Sequence, residues 1–316
     1  MIAPRLGTSS PITRILCPVD FSEASRPAIE HATVIARWYK ASITALHVYE
    51  PMFMPIPGLP PRESRVPESE LTRVQVEATR CFEDATASGV NVNVVVDVGQ
   101  PAAQILVRSD AAHSDLIVMG THGTSGFEHL LLGSVTEKVL RRATCPVLTV
   151  PPHTHSTSTL PFRRLLCAVD FSDSSLRGLE LACSLAKQSN AALTLLHVVE
   201  WPWHEPPPPV LEELPSDQAA ALAEFRRYVE KSAIARLRAL TPEAGEGHCV
   251  IEPRVAHGKP YTEILRVATE DRADLIVIGV HGRNAADVML FGSTTNQIVR
   301  RATCPVLTLR TQPTET

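Results

Sequence analysis

Two glycine-rich stretches share one spacing: GTHGTSGFEHLLLGS at 120–134 and GVHGRNAADVMLFGS at 279–293. In each, a glycine is followed after two residues by a second glycine and after nine more by Gly-Ser. Gly120 and Gly123 allow the backbone to turn tightly and approach a ligand with no Cβ in the way. Gly133-Ser134 opens a helical run, VTEKVLRRA. The first amides of such a helix lack intrahelical acceptors and lie at the positive end of its dipole, which makes an anion site. The hydroxyls of Ser134 and Thr136 add donors, so a polyphosphate fits between the two glycine elements. A purely structural reading competes, because Ser134-Val-Thr-Glu137 is also a capping box. The second stretch, Ser293-Thr-Thr-Asn296, keeps Gly-Ser but loses the glutamate, which favours phosphate binding over capping. Neither stretch has GxxxxGK[ST] or GxGxxG, and neither holds a lysine to neutralise a terminal phosphate, although Arg283 of the second could.

Other reactive side chains are less informative. Asp20 and Asp170 end equivalent apolar runs and suit either a nucleoside or metal contact or the capping of the next helix. His47, His197, His122 and His281 recur at matched positions, as scaffold residues do, and His153 and His155 lie in a polar linker, so no metal site is expected. The seven cysteines form no CxxC pair or zinc spacing, and four of them (17, 145, 167, 304) read as small buried hydrophobes. No Ser/His/Asp constellation, positioned base or arginine finger is evident, so no catalytic residue is assigned.

The elements that must position these residues occur twice. RILCPVDFSEAS (14–25) returns as RLLCAVDFSDSS (164–175), ITALHVYE (43–50) as LTLLHVVE (193–200), and DLIVMGTHG (115–123) as DLIVIGVHG (274–282). The offset is 150 from Asp20 to Asp170 and 159 from Gly99 to Gly258, so the second copy holds nine more residues between its second and third strands. Each copy reads β-α-β-α-β-α-β-α-β, and its strands are nearly continuously apolar, as in parallel sheets covered on both faces. The predicted fold is therefore α/β, a doubly wound Rossmann-like sandwich formed twice. Ser22 and Ser172 are predicted N-caps, and GQP (99–101) and GKP (258–260) put proline in a first helical turn. The expected domains are 1–150 and 162–316, joined by the linker 151–161. Proline-dense segments at 51–67 and 201–215 leave from the ligand edge, where Met52, Phe53, Met54, Trp201 and Trp203 form either lids or stiff connectors.

The chain has 316 residues, 44% hydrophobic and 20% charged, enough for two real cores. A net charge of −4 with dispersed cations gives no footprint for nucleic acid or an anionic membrane. No signal peptide and no apolar run of spanning length are read, so the expectation is a cytoplasmic protein with reduced thiols.

PVDFSE (18–23), AVDFSD (168–173), LHV (46–48 and 196–198), both glycine stretches and the terminal CPVL runs together make the chain similar to tandem universal stress proteins of the ATP-binding branch. That resemblance implies five-stranded sheets in the order 3-2-1-4-5, with adenosine between the first and fourth strands. Matched by motif, the adenosine side is Pro18, Val19, Asp20 and Val48, and the phosphate side Met119, Gly120, Gly123, Gly133, Ser134, Val135 and Thr136. The second set is Ala168, Val169, Asp170, Val198, Ile278, Gly279, Gly282, Gly292, Ser293, Thr294 and Thr295. Departures between the sets are Ala285 for Gly126, Ala168 for Pro18 and Thr294 for Val135. The implied cofactors are ATP and Mg²⁺, and the implied role is a nucleotide-responsive regulator of stress adaptation with an unidentified protein partner. A slow ATPase or phosphotransfer enzyme and a non-nucleotide interaction scaffold are the alternatives. The resemblance further implies pairing of the halves through CPVLTV (145–150) and CPVLTL (304–309), and leaves open whether two chains then associate.

Overall fold

A computed structural model describes residues 12–51, 66–123, 132–152, 154, 162–200, 216–241, 250–280 and 292–310. The first half runs β1 (Arg14–Val19), a 3-10 turn (Glu23–Ser25), α1 (Arg26–Tyr39), β2 (Ser42–Tyr49), α2 (Glu68–Cys81), α3 (Glu83–Ala87), β3 (Val92–Val98), α4 (Pro101–Ala111), β4 (Leu116–Gly120), α5 (Ser134–Arg142) and β5 (Val147–Val150). The second half runs β6 (Arg164–Ala168), α6 (Asp173–Ser189), β7 (Ala192–Val199), α7 (Ser216–Leu240), β8 (Ile251–His257), α8 (Pro260–Glu270), β9 (Leu275–Gly279), α9 (Ser293–Arg301) and β10 (Val306–Leu309).

Among the described residues the strands form one ten-stranded sheet, β3-β2-β1-β4-β5-β10-β9-β6-β7-β8. Each half is parallel and has the expected order 3-2-1-4-5, and the halves meet where β5 pairs antiparallel with β10, Leu148 opposite Leu307. Thr149 and Thr308 are buried there, and their hydroxyls donate to the carbonyls of Val306 and Val147, each at 3.2 Å. These two bonds satisfy the threonine hydroxyls in an otherwise apolar seam.

Strand alternation sends successive side chains to opposite faces of the sheet. Cys17 and Val19 join the core beneath α1, whereas Leu16, Leu46 and Met119 join the core beneath α4 and α5. The second half repeats this, with α6 and Leu237 of α7 over one face and α8 and α9 over the other. Pro101 and Pro260 begin α4 and α8 as their spacing predicts, each following a glycine with positive φ (141° at Gly99, 136° at Gly258).

Two local expectations change. Ser22 does not cap α1, because the chain first makes a 3-10 turn and the helix starts only at Arg26-Pro27; Ser172 does cap α6, accepting from the Ser175 N–H. The second half has a single α7 of 25 residues where the first half breaks at the buried Phe82 into α2 and α3. The lid residues Met52, Phe53, Met54, Trp201 and Trp203, the linker histidines His153 and His155, and Gly126, His281, Gly282, Arg283 and Ala285 lie outside the described residues.

Candidate functional site

The strand order reverses between β1 and β4 in the first half, and between β6 and β9 in the second. Open α/β sheets bind ligands at the carboxyl ends of the strands flanking such a point. Asp20 leaves β1 there. Its Oδ1 accepts from the Ser22 amide (3.1 Å), the Ser22 hydroxyl (2.6 Å) and the Ser25 hydroxyl (2.9 Å). Asp170 does the same with the Ser172 amide (3.0 Å) and hydroxyl (2.5 Å). The carboxylate thus organises its own loop, and its second oxygen points across the crevice. A Cβ added to Gly123 would lie 2.5 Å from Asp20 Oδ2, so the first glycine stretch passes close over Asp20 and a side chain at 123 would have to displace that carboxylate.

The next residue was not singled out from the sequence. Phe21 has φ 61° and Phe171 φ 66°, a left-handed conformation that costs a bulky side chain about 1–3 kcal/mol. Each ring lies against a histidine: Phe21 stacks on His47 with centroids 4.2 Å apart, and Phe171 meets His197 at 4.7 Å. Arg236 of α7 lies over the Phe171 ring, 3.8 Å from its centroid. His47 and His197 use Nδ1 to hold the carbonyls of Val19 and Val169, at 2.9 and 2.7 Å. Burial, the largest influence, holds the His47 pKa below the ordinary imidazole value against the opposing pull of the Val19 carbonyl and Asp20. The matched histidines are therefore scaffold residues that fix the β1–α1 and β6–α6 loops. The clue in the sequence was Asp-Phe-Ser and Leu-His-Val recurring together in both copies.

The opposite wall is α5. Its first intrahelical bond runs from the Glu137 amide to the Gly133 carbonyl (2.9 Å), so the amides of Ser134, Val135 and Thr136 precede the ladder. Asn296 to Gly292, also 2.9 Å, marks the same point in α9. The capping box is not formed. Gly133 is the N-cap, no side chain caps it, and Glu137 instead pairs with Arg141 at 2.6 Å. The Thr136 hydroxyl donates to the Gly120 carbonyl and that of Thr295 to the Gly279 carbonyl, both at 2.9 Å and both buried. Those hydroxyls, expected as phosphate donors, instead bolt the helix start to the strand end. The Gly133 amide adds a second tie, to the Thr121 carbonyl at 2.9 Å.

The apolar residues expected around the nucleotide, on its adenosine and phosphate sides together, divide by face. Val48, Met119 and Val135 share the core face that carries α4 and α5, as do Val198 and Ile278 in the second half. Ala168 lies on that face too, whereas the Val19 and Val169 side chains point into the opposite core and offer a ligand only their backbone. Gly120 and Gly279 also have a packing reason. A Cβ on Gly120 would sit 3.0 Å from the Ala24 carbonyl oxygen, and one on Gly279 2.6 Å from Ser174 Oγ. A separate apolar cavity of about 270 Å³ lies at the junction of the halves, beside Tyr39, Leu148, Phe162, Leu185 and Leu307; no residue of either crevice lines it.

The sequence profile of the Universal stress protein family matches residues 11–151 and again 161–310. A universal stress protein of Mycolicibacterium smegmatis is 27% identical over 301 residues, 94% of this chain and 96% of the relative. One from Methanocaldococcus jannaschii is 37% identical over 139 residues, 43% of this chain and 81% of the relative. The crystal structure of a universal stress protein from Archaeoglobus fulgidus superposes with a TM-score of 0.61 at 24% identity, covering 94% of this chain and 98% of that one, and has the same fold. Two consecutive profile matches over a sheet whose halves repeat the order 3-2-1-4-5 leave one conclusion: the chain belongs to the universal stress protein family, with two copies of its unit in tandem.

Proposed function

We propose that each half binds one adenine nucleotide, ATP with Mg²⁺, and that occupancy makes the protein a nucleotide-responsive regulator of stress adaptation in the cytoplasm. One observation carries this reading. At the strand-order reversal, the Asp20 carboxylate, a glycine that leaves no room for a Cβ beside it, and the open amide end of α5 converge on a single crevice. The residues fit the ligand. The partly buried Val48 suits the adenosine side, and the amides of Ser134, Val135 and Thr136 suit phosphate oxygens. Asp20 and the nearby serine hydroxyls are hard oxygen donors of the kind Mg²⁺ takes. In the second half the matching residues are Ala168, Asp170, Val198, Ile278, Gly279, Gly292, Ser293, Thr294 and Thr295.

We assign the halves as domains 1–150 and 162–316 joined by 151–161. Cys17 and Cys167, their thiols pushed well above the usual range by burial, serve as small buried hydrophobes. Backbone hydrogen exchange with and without ATP–Mg²⁺ tests the location. Protection should appear in 118–123, 133–136, 277–280 and 292–295; protection confined to other segments overturns it.

A further inference from the structure

We infer that Pro18 makes the two nucleotide sites unequal, with the first half binding ATP–Mg²⁺ more tightly than the second. This rests on the function proposed above.

The register shows the difference. β1 pairs with β4 only at Ile15–Leu116 and Leu16–Ile117, whereas β6 pairs with β9 from Leu165–Leu275 through Ala168–Ile278. The cause is the residue at the carboxyl end of each first strand. The Val169 amide donates to the Leu196 carbonyl on β7, so that of Ala168, one residue earlier, faces β9. In the first half the Arg14 carbonyl accepts from the Asp115 amide on the β4 side, so Arg14, Leu16 and Pro18 all turn their backbone polar groups toward β4. Pro18 has no N–H to give. The ladder on that side stops two residues short, at the point where a nucleotide would enter between the strands.

A second observation points the same way. In the second half α6 begins at Asp173, and Ser174, buried at 3% exposed, presses its side chain against Gly279 at the end of β9. In the first half the matching contact to Gly120 comes from the backbone of Ala24 in a 3-10 turn. The end of β9 is thus held from both sides, by Ala168 and by Ser174. The end of β4 lacks the first of these restraints and has a looser form of the second. A nucleotide that spreads the two strand ends as it seats works against one ladder hydrogen bond fewer in the first half than in the second.

The net worth of one backbone hydrogen bond corresponds to about a three- to tenfold difference in affinity between the sites. Calorimetric titration of the full chain with ATP–Mg²⁺ should show two steps separated by that factor. Pro18→Ala restores the amide found in the second half; it should weaken the tighter step about three- to tenfold and leave the other unchanged. Ala168→Pro, the reciprocal change, should tighten the weaker step. Two equal sites in the wild type, or a Pro18→Ala variant with both steps unchanged or only the weaker one altered, overturn the inference while leaving nucleotide binding intact. Absence of any binding overturns the proposed function and this inference with it.

Discussion

His31 faces the core from α1, with its Nδ1 2.7 Å from the Pro27 carbonyl, and is 1% exposed. Burial, outweighing the Pro27 carbonyl and Glu30, lowers its pKa below 6.5, so the folded protein holds it neutral. The unfolded chain takes up a proton near the ordinary value. Its contribution to stability is therefore complete above about pH 6.5 and declines as the pH falls below that. The corresponding position in the second half is Leu181. His31→Leu should flatten the fall in urea-unfolding free energy between pH 7 and pH 5, and an equal fall in both proteins would show that His31 is not its source. Asp20 and Phe21 act at the same scale but locally: the carboxylate gathers three donors and the ring stacks on His47, which together hold a strained turn open toward the crevice.

At the scale of elements, the crevice depends on how closely the start of the first helix approaches the end of the fourth strand. An alanine at 120 would need the Ala24 carbonyl to give slightly, since its Cβ would lie 3.0 Å from that oxygen. An alanine at 279 would meet Ser174 Oγ at 2.6 Å and the Ser174 carbonyl carbon at 3.0 Å, so α6 itself must move. Gly120→Ala should cost about 1–2 kcal/mol and Gly279→Ala about 2–3 kcal/mol, an overpacking effect measurable by chemical denaturation. Adding Ser174→Ala to Gly279→Ala should recover only part of the loss, because the backbone clash remains. Much of this arrangement was legible in the chain. The repeated apolar runs gave the strands, and the G-x2-G-x9-G-S spacing put glycines at Gly120 and Gly133, where the structure requires close approach. The roles of Thr136 and Glu137 were not legible, because the sequence does not say which of several acceptors a hydroxyl or carboxylate meets. Thr136 found the Gly120 carbonyl and Glu137 found Arg141. Nor was the turn at Glu23–Ser25, where proline at 27 delays the helix that Ser22 had been expected to cap.

The described strands form one sheet because β5 and β10 pair, and Leu307 at their centre is 4% exposed. A carboxylate there would be buried without a partner. Leu307→Asp should cost about 3 kcal/mol or more and uncouple the halves, so that a single unfolding transition becomes two. A single unshifted transition would mean that the junction does not couple them. The tandem arrangement also sets what the central claim must deliver, namely two nucleotides per chain at two equivalent crevices. Equilibrium dialysis of nucleotide-stripped protein against saturating labelled ATP with Mg²⁺ counts them directly, in the wild type and in Gly123→Val, whose side chain would collide with Asp20. The account predicts two ATP bound per wild-type chain and one per variant chain. No bound nucleotide in the wild type, or an unchanged count in the variant, would contradict it.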